Sequence, residues 1–61
     1  MTMSGKELVI LLKKNGWTEI RIQGSHHIME KNGNVETVPV HGNKDLPKGL
    51  LTSILKRTGL F

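Results

Sequence analysis

The sequence has no cysteine. That excludes disulfides and thiolate metal sites, the two staples most used by very small domains, and it suits a reducing compartment. Aromatic residues are nearly absent too, with Trp17 and Phe61 the only ones. A sheet that reads single-stranded RNA by stacking successive bases needs several, so that kind of module is excluded. The longest apolar run, Leu8 to Leu12, falls far short of the roughly 18 residues of a membrane span. Met1 to Gly5 lack the charged and apolar regions of a secretory signal, so the expectation is a cytoplasmic protein with no membrane contact. Acidic residues are scarce: five Asp and Glu stand against nine Lys and Arg, a formal charge of +4. The surplus favours encounter with polyanions such as nucleic acid. It is also what a small domain with lysine-rich, solvated helix faces carries.

What is present organises itself into one domain, 1–61, because 61 residues are too few for two cores. Ser4 and Glu7 stand at capping-box spacing before Leu8, Leu11 and Leu12, which predicts a helix over Gly5–Asn15 with Gly16 as its stop. Ile20 and Ile22 alternate with Glu19 and Arg21, the pattern of a half-buried strand over Trp17–Gln23. Gly24-Ser25 breaks the chain before a second strand, His26–Lys31, and Asn32-Gly33-Asn34 turns it into a third, Val35–Val40. Pro39 has no N–H to donate and belongs at a strand end or on an edge. Pro47, the helical spacing of Leu50, Leu51, Ile54 and Leu55, then Lys56, Arg57 and Gly59 predict a closing helix. The expected class is α+β: helix, three-stranded antiparallel sheet, helix, with both helices on one face of the sheet. Five consecutive apolar residues, Leu8 to Leu12, exceed what one buried helix face needs, which suits a protein partner over part of the surface.

The chemistry-bearing stretch is Gly24-Ser25-His26-His27. It places imidazoles, which titrate near neutrality, where one strand hands over to the next. RNA carries its own nucleophile in the 2′-hydroxyl, so a nuclease needs a proton acceptor, a proton donor and cations near the phosphate. Neighbouring strand residues face opposite sides, so at most one of His26 and His27 serves a given site unless a bulge intervenes. His41, with Gly42, Asn43 and Lys44, lies in the last connection, where an imidazole and a cation can approach a phosphate; a solvated connector is the plain alternative. No stretch has a metal-ligand spacing such as H-E-x-x-H, so no metal and no cofactor are expected. Lys6, Lys13, Lys14, Lys44, Lys48, Lys56 and Arg57 would meet an RNA backbone with little sequence preference, or simply fill solvated faces.

Four stretches, Ser4-Gly5-Lys6-Glu7-Leu8, Leu11 to Trp17, Gly24-Ser25-His26-His27-Ile28 and Val38-Pro39-Val40-His41-Gly42-Asn43-Lys44-Asp45-Leu46, together strongly resemble the HicA toxins. The resemblance covers nearly every residue. It implies a fold like the double-stranded-RNA-binding domain and the activity of a metal-independent endoribonuclease that cleaves messenger RNA and blocks translation. It implies a HicB antitoxin partner that neutralises the toxin by covering its histidine. HicB often carries a DNA-binding module, so DNA is reached only through the antitoxin. The family's functional histidine, the one in its G-S-H motif, falls on His26. Gly24 and Ser25 carry over as the motif's turn and phosphate-side neighbours, while His41, which the family often has after the proline of its last strand, and Lys44 are auxiliary candidates. Met29-Glu30-Lys31-Asn32 departs from the aromatic, Arg, His and Pro residues frequent in relatives, so local RNA contacts differ there. Two rivals remain: a non-catalytic module that recognises A-form RNA by shape, and a degenerate toxin kept as an antitoxin's partner, against which intact Gly24, Ser25 and His26 argue.

Overall fold

Helix α1 (Gly5–Lys14) leads into strands β1 (Thr18–Gln23), β2 (His26–Lys31) and β3 (Asn34–Pro39), and helix α2 (Lys48–Arg57) closes the chain. The strands form one antiparallel sheet in the order β1-β2-β3. This computed structural model describes all 61 residues. The order and class are those the sequence predicts. No helix is long and apolar enough to cross a membrane.

Local chemistry sets the boundaries. At the start of α1 the Ser4 hydroxyl accepts from the Glu7 N–H at 3.1 Å and the Glu7 carboxylate accepts from the Ser4 N–H at 2.9 Å, so two otherwise unpaired donors are satisfied reciprocally. At its end the Gly16 N–H donates to Lys13 at 3.2 Å and the Trp17 N–H to Leu12 at 3.0 Å. These paired bonds turn the chain sharply and drive Trp17 back onto the core; Asn15, expected as helical, is the cap. The same pair of bonds ends α2, from Gly59 to Lys56 and from Leu60 to Leu55. The N-terminus of α2 differs, because Pro47 stands at its cap position and offers no side-chain hydrogen bond.

Both hairpins turn in two residues. Asn32 and Gly33 both have positive φ, 51° and 83°, the twist that antiparallel strands favour. Between Gln23 and His26 only Gly24 is positive, at 59°, the pattern that calls for glycine at the first turn position. The third strand begins at Asn34 and ends at Pro39, one residue earlier at each end than the expected Val35–Val40.

The core lies between the sheet and both helices. Leu8 and Leu12 of α1, Met29 and Val38 of the sheet, and Leu51, Ile54 and Leu55 of α2 are almost wholly enclosed, each such side chain contributing about 1.5–3 kcal/mol. Of the run Leu8–Leu12 only Ile10 stands well out, 54% exposed, so the apolar excess reduces to that residue. Glu36, opposite Met29 on the helix-side face, is the one buried carboxylate. The Arg57 Nε–H and Nη2–H donate to it at 3.0 to 3.2 Å, tying the end of α2 to β3. The hydrogen bonds and charge of Glu36 raise the Arg57 pKa above its usual range. That contribution is therefore fully present at every pH below the ordinary arginine range and is lost only above it.

The expectation that Ile20 and Ile22 form a half-buried stripe is corrected: they are 47% and 53% exposed. The ladder between β1 and β2 shifts between Glu19 and Arg21. This bulge takes Ile20 out of the pairing and inverts the alternation. Glu19, opposite Met29, faces the helices, whereas Arg21, opposite Ile28, faces away. Ile22 returns to the helix side opposite His27 and stays half exposed on the edge strand. Ile28 is buried outside the core cluster, flanked on the uncovered face by Arg21 and Thr37.

Candidate functional site

The two adjacent histidines divide between the faces of the sheet. His27 pairs with Val38 and points to the helix side. There its ring nitrogen Nδ1 lies 2.7 Å from Glu19 Oε1. A carboxylate only accepts, so Nδ1 carries the hydrogen and donates it. Lys13 Nζ, 3.9 Å from the other oxygen of Glu19, completes a half-buried polar link between α1, β1 and β2. His27 is the one histidine whose ring is hydrogen-bonded within the chain. His26 sits on the uncovered face, exposed, between Gln23 of β1 and Pro39 of β3.

The segment after β3 is tied down at both ends. The Val40 N–H donates to the Ser25 carbonyl at 2.8 Å, so the Gly24-Ser25-His26 turn and the segment leading to His41 are held side by side. The Lys44 N–H donates to the His41 carbonyl at 3.0 Å, and the Leu46 N–H to the Met3 carbonyl at 2.8 Å, with an isolated bridge between Ser4 and Asp45. Gly5 makes this packing feasible. It is buried, and a Cβ there would overlap the Pro39 carbonyl oxygen, so only glycine lets α1 start directly against the end of β3.

Between this loop and the first turn of α2 lies a cavity of about 420 Å³, a size suited to a small ligand or part of a larger one. Pro39, His41, Lys44 and Asp45 line it from the loop, Pro47 and Leu50 from the helix side. Pro39 thus serves twice, as a wall of the cavity and as the ladder partner of His26. Gly24, Ser25, His26, His41 and Lys44 are therefore gathered at one end of the sheet. The other cavity, about 240 Å³, has mainly apolar walls from Met1, Leu51, Leu55 and Phe61 and contains no histidine. No three His, Asp or Glu side chains come together in a way that could hold a metal ion.

The cations sort unevenly. Arg57 is committed to Glu36, Lys31 donates to the Asn15 carbonyl at 2.8 Å, and Lys56 lies 5.5 Å from the centre of the Phe61 ring. Lys44 lines the cavity. Arg21, which sequence reasoning overlooked, is exposed on the same face as His26, diagonal to it across the β1–β2 ladder, a spacing of roughly 7–8 Å that long side chains bridge. Plain alternation puts Glu19 and Arg21 on one face. Only the bulge separates them and puts Arg21 on the same face as His26.

Residues 5–60 match the HicA toxin family of bacterial toxin–antitoxin systems, and the chain belongs to that family. No curated protein matches it.

Proposed function

We propose that this protein is a ribonuclease toxin that cleaves messenger RNA in the cytoplasm without a metal, with His26 as its catalytic residue. The observation that carries the reading is the placement of His26: an exposed imidazole on the uncovered face, directly across from Pro39, which walls the cavity containing His41 and Lys44. His27, next in sequence, is already engaged by Glu19 and serves the fold.

In this reading the RNA 2′-hydroxyl attacks the adjacent phosphorus and forms a cyclic phosphate while the bond to the 5′-oxygen breaks. His26 transfers a proton in that step, and Arg21 and Lys44 stabilise the charge that builds on the phosphoryl oxygens. Gly24 and Ser25 form the turn that presents His26, and His41 flanks the substrate. The partner is a HicB antitoxin that covers His26, and any contact with DNA is made by that antitoxin.

Expression of wild type and His26→Ala under tight control, with growth, RNA integrity and circular dichroism followed together, tests the reading. The expected result is growth arrest and RNA loss from wild type alone, with both proteins folded. RNA ends formed in the presence of chelator should be 2′,3′-cyclic phosphates. A requirement for a divalent ion, or 5′-phosphate ends, would refute the mechanism. Equal toxicity of the two proteins, or RNA binding without cleavage and unchanged by the substitution, would point to a non-catalytic module.

A further inference from the structure

We propose that His41 is the second proton-transfer group of the site, the general acid that protonates the departing 5′-oxygen while His26 takes the proton of the 2′-hydroxyl. The proposal rests on the ribonuclease reading above and supplies the step that reading leaves without a donor. Cleavage by transesterification moves two protons. The bond from the 2′-oxygen to phosphorus forms as the 2′-hydroxyl loses its proton, and the bond from phosphorus to the 5′-oxygen breaks as that oxygen gains one. A single imidazole on an open sheet face serves one side of the phosphorus, and the in-line geometry puts the leaving oxygen on the other.

Three observations select His41. Of the three histidines, His27 has its Nδ1 committed to Glu19, whereas the His26 and His41 rings make no hydrogen bond within the chain and both residues are exposed. The backbone holds the two residues on neighbouring segments: Pro39 is the ladder partner of His26, Val40 is bonded to Ser25 at 2.8 Å, and His41 follows. Finally, His41 lines the concave space, and Pro39, the ladder partner of His26, forms another of its walls, while His26 itself stands outside it on the open sheet. A cavity of about 420 Å³ seats the departing nucleoside, and the donor that meets its 5′-oxygen is the imidazole in the cavity wall. Lys44, in the same wall, faces the phosphate between them.

The test compares full-length wild type, His41→Asn and His26→Asn on two substrates: an RNA oligonucleotide, and a nucleoside 3′-(4-nitrophenyl phosphate), whose nitrophenolate departs without a proton. His41→Asn should slow RNA cleavage by roughly 10²–10⁴-fold and slow cleavage of the activated ester by less than about tenfold, while His26→Asn slows both. The pH profile on RNA should lose its alkaline limb in His41→Asn, because that limb reports the acid. Full RNA cleavage by His41→Asn would overturn the proposal. So would equal loss on both substrates, or rescue of His26→Asn rather than His41→Asn by the activated ester, which reverses the roles. Failure of wild type to cleave either substrate would instead defeat the ribonuclease reading on which it stands.

Discussion

The helix side and the uncovered side of the sheet use the same kinds of residue to different ends. On the helix side His27 is bound by Glu19, Glu36 is bound by Arg57, and Met29 and Val38 are sealed under both helices. On the other side His26 and Arg21 are exposed and have no partner in the chain. One residue of alternation separates His26 from His27, and it decides which imidazole is spent on the fold and which is left exposed without a partner in the chain. A domain this small has no interior to spare for chemistry. It leaves His26 and Arg21 on the face it does not need for its core.

Damage to the helix side should therefore cost stability and leave chemistry intact. Met29→Ala removes a fully enclosed side chain from the central strand and should destabilise by about 2–5 kcal/mol, read as a lower midpoint in denaturant, with cleavage per folded molecule unchanged. Gly5→Ala is the case that should break the separation. The added methyl forces α1 away from the Pro39 carbonyl, an overpacking worth about 1–3 kcal/mol. Because the same contact frames the loop bearing His41, RNA cleavage by the folded fraction should fall as well. His27→Ala should cost about 0.5–1.5 kcal/mol, the net worth of its hydrogen bond to Glu19, and leave the cleavage rate within about threefold at saturating RNA. A loss from His27→Ala as deep as that from His26→Ala, with the fold intact, would invert the comparison.

Much of this was legible in the chain because its signals are local. The capping box of Ser4 and Glu7, the turn residues Asn32-Gly33 and the helical spacing of Leu51, Ile54 and Leu55 each act within a few residues, and all lie where they were expected. Period-two alternation also foretold that His26 and His27 part company. The bulge at Ile20 was not legible, since it exists only in relation to β2, and the alternating Glu19-Ile20-Arg21-Ile22 reads as an unbroken strand. Its consequences were hidden with it: exposed isoleucines, Glu19 turned toward His27, and Arg21 on the same face as His26. The Glu36–Arg57 pair spans 21 positions and left no mark in the sequence. Arg57, read from the sequence as a cation that either meets RNA or fills a solvated helix face, also braces β3. The candidate site was half legible. Gly24-Ser25-His26 and His41 stand out by residue type, but the cavity beside them depends on how Met3 and Ser4 pin the loop from the far end of the chain.

That pinning gives the first residues an unexpected standing. Met3 accepts from Leu46, and Ser4 bridges Asp45 while also capping α1, so the N-terminal segment works as a splint for the loop that carries His41 and Lys44. On the ribonuclease reading, tags, trimming or a bound protein at this end would therefore register in turnover as well as in melting, since Ser4 also caps α1, and a binder that peels Met3 and Ser4 away would disarm the protein without touching a histidine.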